Sequence, residues 1–284
     1  MRTLFRIFGK ASLAFADDGC IDLAAGLAYY ALFSIFPLLL GLVTITGVVF
    51  RSSEASIQGR LLRVVGELAP GSEGFMAVNL EAIASAGQAL GLLSALALIW
   101  SGSAFFHAAQ RAINVVWEVE KRRSYWGQRM AAFGIMALLG AVQGALVVSA
   151  VLVEIVQKMD VFNRTGVVFA AATLWQGGQL ASELMLFAVV FRYVPNAAVG
   201  WRDVWLGAAV AALLFEVGKR LFLWYVTDQA NYALVYGNLA SVIAFLFWCY
   251  VSASILLFGV EVCVAHARLR RAVSSADRSP PAGG

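Results

Sequence analysis

The chain has 284 residues, of which 61% are hydrophobic and only 13% charged, with a net charge of +4 and a mean hydropathy of +0.79. Soluble domains carry about 25% charge, and the apolar residues here come in runs too long for the core helices of a soluble fold. Leu23–Phe50, Ala82–Gln110 and Gln229–Val260 contain no charged residue at all, so the composition excludes an ordinary soluble domain and indicates a polytopic membrane protein.

Residues 1–22 read as a cytoplasmic amphipathic arm. Arg2, Arg6 and Lys10 alternate with Leu4, Phe5, Ile7, Phe8 and Phe15, a pattern too broken for a secretory signal and suited to an interfacial helix. A membrane domain over 23–266 follows, with six predicted spans at 24–50, 88–109, 131–154, 166–191, 204–226 and 239–263. Pro37 interrupts the first span. It cannot donate to the helix ladder, so a kink is expected, with Ser34 placed to satisfy a freed carbonyl and the pair serving as a hinge. The outer loop at 51–87 carries Ile57, Leu61, Val64, Val65 and Leu68 at helical spacing, then Ala69-Pro70-Gly71 as a break, then Phe75, Met76, Leu80 and Ile83. Two short amphipathic outer helices are predicted there. Gly140, Gln143 and Gly144 form a small-residue packing face in the third span, with Gln143 as polar glue.

The fourth span places Gln176, Gln179 and Glu183 on one face, with Gly177 and Gly178 beside them. Those glycines permit close helix approach or local unwinding. Two readings are open for the face: hydrogen bonds between helices, or the polar wall of a path in which Glu183 carries a proton or cation. The fifth span holds Glu216, Lys219 and Arg220, three and four residues apart, about 18 to 23 Å along the helix from Val204. Either Glu216 pairs within the helix while the cations snorkel to the outer interface, or the cations face a buried anion or lipid headgroup. Glu154 and Glu261 fall near span ends and are expected at the interface, as are Asn114 and Trp117 in an Arg-bearing segment. Residues 267–284, which end in a Ser/Pro/Gly-rich stretch, read as a disordered cytoplasmic tail.

Orientation follows from the basic residues. The N-terminal arm, the loop after span two (Arg111, Lys121, Arg122, Arg123, Arg129), the loop after span four (Arg192, Arg202) and the tail (Arg268, Arg270, Arg271, Arg278) outweigh the opposite side, which has Arg51, Arg60, Arg63, Lys158 and Arg164. Both termini are predicted to be cytoplasmic. Cys20, Cys249 and Cys263 show no metal or redox spacing and read as small apolar residues. No phosphate loop, dinucleotide fingerprint, zinc pattern or nucleic-acid stripe is present, so no cofactor, metal or nucleic-acid partner is expected.

Four stretches resemble the YihY/BrkB family of bacterial inner-membrane proteins: Ala28–Pro37; Trp100–Ala104 continuing to Ala112–Asn114 and Trp117; Arg192–Asn196; and Tyr236–Ala240 with Trp248 and Gly259–Glu261. Asn238 stands where the family pattern has Ser, and Val260 where it has Ala. The resemblance implies an all-α, six-span bundle and a role in the envelope or in lipid transport. It also brings a ribonuclease label, which the residues do not support: His107 and His266 lie on different spans without an acidic cluster. The expectation is a non-enzymatic transporter or lipid-handling protein, with membrane lipids as partners. Its path would hold Gln176, Gln179, Glu183, Glu216, Lys219 and Arg220. The rival is a non-transporting scaffold that docks an envelope protein through the outer helices. Small-residue faces permit a homo-oligomer without requiring one.

Overall fold

A computed structural model describes residues 2–49, 91–119, 134, 165–225 and 240–276. Among these, six helices occur and no strand: α1 (Arg2–Asp17), α2 (Cys20–Val49), α3 (Gly91–Val116), α4 (Thr165–Tyr193), α5 (Trp201–Trp224) and α6 (Ala240–Ala276). Apart from Gly134, the predicted third span, with Gly140, Gln143, Gly144 and Glu154, and the predicted outer helices at 51–87 lie outside the described residues. On length and composition, one segment among the described residues, Val242–Ala272, qualifies to cross a membrane.

The breaks between helices have local causes. Gly19 takes φ +63° between α1 and α2, a left-handed conformation that glycine adopts without steric cost. At the end of α3, Glu118 takes φ 51°, and the Val119 amide closes onto the Asn114 carbonyl at 3.1 Å. Helix α4 stops at Tyr193 because Pro195 disfavours helical backbone at Val194. Asp203, in the first turn of α5, accepts the Gly200 amide at 3.3 Å and the Arg270 guanidinium at 2.8 Å, complementing the positive end of its helix.

Two expectations are corrected here, the carbonyl that Ser34 satisfies and the start of the tail. Helix α2 runs from Cys20 to Val49 through Pro37. Ser34 Oγ donates to the Ala31 carbonyl at 2.9 Å, not to the Phe33 carbonyl that Pro37 leaves without its amide, because a serine hydroxyl reaches back one turn rather than forward. Helix α6 continues to Ala276, so residues 267–276, expected in the tail, are helical. Arg268 binds Glu118 at 2.9 Å and Arg270 binds Asp203, which fastens this end of α6 to α3 and α5.

Helices α5 and α6 cross at close range. A Cβ on Gly207 would collide with Cys263 Sγ and the Gly259 carbonyl, and one on Gly259 would sit 2.7 Å from the Phe191 ring and 2.8 Å from Ala211 Cβ. Small residues spaced four apart, Gly207 and Ala211 against Gly259 and Cys263, let the backbones approach. Around the crossing, Phe191, Val204, Ala208, Leu257 and Val260 are buried, together with Cys20, Ala24 and Ile113 from α2 and α3. Helix α1 lies across α6, with Ile7 and Ala11 buried on Val262 and Ala265 and Phe15 edge-on to Phe258.

Candidate functional site

Helices α4 and α5 run antiparallel. Phe187 meets Phe215 edge-on at 5.8 Å, and one turn further this register brings Glu183 opposite Lys219. Lys219 Nζ donates to Glu183 Oε1 at 2.6 Å and contacts Glu216 Oε2 at 2.7 Å. Arg220 reaches Glu216 Oε1 through Nε at 3.1 Å and Nη2 at 3.0 Å. The result is a line of four alternating charges with no net charge, Glu183–Lys219–Glu216–Arg220. The Phe215 ring centroid lies 5.6 Å from Lys219 Nζ, a cation–π contact.

The line runs from inside to outside. The Glu183 and Lys219 side chains are each 14% exposed, whereas Arg220 is 76% exposed. Glu183 Oε2 is buried and has no hydrogen-bond partner among the described residues. Lys219 lies twelve residues along α5 from the Gly207 crossing, about 18 Å at 1.5 Å per residue. Glu183 lies nine residues before Arg192, about 14 Å. Both distances put the cluster away from the α1 end, and α5 ends at Trp224, five residues beyond Lys219, about 8 Å.

The snorkelling expectation therefore fails for Lys219, which turns inward to Glu183; Arg220 alone is strongly exposed. Gln179 is half-buried one turn before Glu183, and its carbonyl accepts Ser182 Oγ at 2.7 Å. Gln176 sits on the same helix, with its side chain outside the described residues. Among the described residues nothing lies within 4 Å of a Cβ built on Gly177 or Gly178, whereas Gly207 and Gly259 sit at a close helix approach. The i+4 spacing of small residues at 207/211 and 259/263 was the signal for it in the sequence.

A second polar cluster holds the α4–α5 connector at the α1 end. Gln110 Nε2 donates to the Val194 carbonyl at 3.0 Å, and the Asn196 amide donates to Asn114 Oδ1 at 2.8 Å. Arg192 Nη1 donates to the Val199 carbonyl. Irregular backbone inside a membrane bundle needs such partners. Asn114 is thus a tie between α3 and the connector, and Trp117 packs against the core. Asn114→Ala is expected to lower stability by about 1–2 kcal/mol, read as an earlier thermal unfolding transition in detergent. Glu261, expected at the interface, is 2% exposed and accepts the Cys20 thiol at 3.6 Å. Among the described residues no three His, Cys, Asp or Glu side chains gather as a metal site.

Similar proteins agree on the setting. A UPF0761 membrane protein of Alkalilimnicola ehrlichii is 30% identical over 251 residues, 87% of this chain and 55% of its own length. A UPF0761 membrane protein of Actinobacillus pleuropneumoniae is 25% identical over 240 residues, 84% of this chain and 86% of its own. A putative ribonuclease-like protein, YfkH, of Bacillus subtilis is 28% identical over 245 residues, 84% and 87% respectively. The chain spans about half the length of several of the curated relatives it matches. No solved structure matches it. The family model described as virulence factor BrkB matches residues 11–283, and with an all-helical structure and membrane-protein relatives over most of its length, the chain belongs to the BrkB family as an integral membrane protein.

Proposed function

We propose that the chain is a six-span transporter or lipid-handling protein of the bacterial inner membrane, with both termini cytoplasmic and its path along the polar faces of α4 and α5. The observation that carries this reading is the Glu183 carboxylate, one oxygen on Lys219 and the other buried without a partner among the described residues. Ionisable groups this deep in a membrane bundle are costly and concentrate at ion and substrate paths. A proton or cation taken up by Glu183 weakens its hold on Lys219, which keeps Glu216 as its second partner. The line of charges then has two arrangements, and Arg220 at its exposed end offers a guanidinium to an anionic headgroup. Gln176 and Gln179 extend the polar face of α4, and Ser34 and Pro37 are the hinge. The reading assigns no catalytic chemistry and uses no cofactor; membrane lipids are the partners.

In proteoliposomes under an imposed proton gradient, Glu183→Gln is expected to abolish the pH dependence of substrate movement while leaving the protein folded. Unchanged movement and unchanged pH dependence would remove Glu183 as the carrier.

A further inference from the structure

Helix α1 has two apolar faces, and the bundle uses one of them. Ile7 and Ala11 are buried on Val262 and Ala265 of α6, with Leu206, Val210, Phe258 and Leu269 packed around them. Phe15 meets Phe258 edge-on at 5.9 Å, and Phe8 lies tilted to the same ring at 6.4 Å. Opposite that face, Phe5, Gly9, Leu13 and Ala16 follow one another three or four residues apart, a single stripe along a helix. All four are exposed. Phe5 is 86% exposed and Leu13 69%, and among the described residues nothing lies within 4 Å of a Cβ built on Gly9. Arg6 and Lys10 stand one position further round the helix and are exposed too. Among the described residues neither has an ion-pair partner. Asp17, the next charge on their flank, is exposed seven residues beyond Lys10, about 10 Å along the helix.

What covers the free face follows from where α1 lies. Its buried face meets α6 between Phe258 and Ala265, inside Val242–Ala272, the segment apolar enough to cross a membrane. A face turned away from the bundle at that level meets lipid. Phe5 and Leu13 are large apolar side chains suited to acyl chains. Arg6 and Lys10 beside them are cations on long stems, suited to phosphate groups at the edge of the leaflet. We infer that the outer face of α1 is a lipid-docking surface that selects anionic phospholipids, with Phe5 and Leu13 inserted and Arg6 and Lys10 on the headgroups. The surface shares no residue with the Glu183–Lys219 line, so it stands or falls apart from the proposed path.

The test uses the full chain in lipid nanodiscs, with Cys249→Ala removing the one native cysteine that is not buried. A fluorophore is attached at Gly9→Cys on the free face or at Asp17→Cys on the charged flank, both exposed positions. Phospholipids with a nitroxide on the acyl chain quench a fluorophore that touches lipid, and aqueous iodide quenches one that touches water. The Gly9→Cys label should be quenched by lipid and the Asp17→Cys label by iodide. Across lipid mixtures, quenching at Gly9→Cys should favour phosphatidylglycerol over phosphatidylcholine by about 25-fold, since each basic residue at an anionic surface contributes about fivefold. Arg6→Gln/Lys10→Gln should remove that preference and leave quenching by phosphatidylcholine in place. A Gly9→Cys label quenched by iodide and not by lipid would overturn the docking surface, as would energy transfer between labels on two copies in place of lipid quenching. Equal quenching by the two lipids, or a preference that survives the double variant, would overturn the anionic partner.

Discussion

Lys219→Met should destabilise the protein by about 3–5 kcal/mol, and Glu183→Gln added to it should recover most of that loss. The expectation comes from what the substitution leaves behind. Lys219 is the one cation that joins Glu183 to Glu216. Without it, Glu183 is a buried carboxylate with no ion-pair partner among the described residues, while Glu216 still holds Arg220. Removing one member of a buried pair costs far more than the pair itself contributes, because the remaining charge has neither water nor partner. Neutralising Glu183 removes that charge, so the double variant should recover most of the loss in a double-mutant cycle, with a coupling energy of about 3 kcal/mol. Unfolding in mixed detergent reads all four corners of the cycle. Additive single effects would mean that Glu183 and Lys219 do not meet. Arg220→Met should have little effect on stability by comparison, since its side chain is largely exposed and exposed pairs contribute about 0–1 kcal/mol.

Gly207→Leu should prevent α5 and α6 from closing, with a loss of about 3 kcal/mol or more and failure to accumulate folded protein in the membrane. The added Cβ meets the Gly259 carbonyl, which is backbone and cannot rotate away, as well as Cys263 Sγ. Relief requires the helices to separate, and that empties the contacts of Ala208, Ala211 and Leu257 in the same cluster. Gly218 offers the internal comparison. A Cβ there meets the tip of Ile255 at 3.2 Å, a flexible side chain, so Gly218→Ala on the same two helices should be tolerated. Protease resistance and the fraction extracted as monodisperse protein distinguish the two variants.

These two expectations show what could be read from the chain and what could not. Helix positions followed from runs of apolar residues: α2, α3, α4 and α5 overlap the spans predicted at 24–50, 88–109, 166–191 and 204–226. The Glu216–Lys219–Arg220 group was visible because i+3 and i+4 spacing joins residues on one helix face whatever surrounds them. The Glu183–Lys219 contact was not, because it depends on the register between two helices, and that register is set by Phe187 on Phe215 and by the length of the connector. Glu261 was misplaced for a related reason. Its distance from the span end suggested an interface, but α1 and the start of α2 fold over it. Asn114 likewise acquires its partner from Asn196, 82 residues away. Hydropathy reports the environment of a segment, not which side chains another segment covers.

The central claim is that the charge line on α4 and α5 serves movement through the membrane rather than the assembly of the bundle. Its most direct test is purified protein in liposomes, following fluorescent phospholipid and headgroup anions, wild type against the neutral pair Glu183→Gln/Lys219→Met. The pair keeps the fold by the argument above and removes the charges. The account predicts movement by wild type and none by the folded neutral pair. Equal movement by both, or none by wild type with any lipid or anion tried, would contradict it and favour a scaffold whose buried charges only hold α4 to α5.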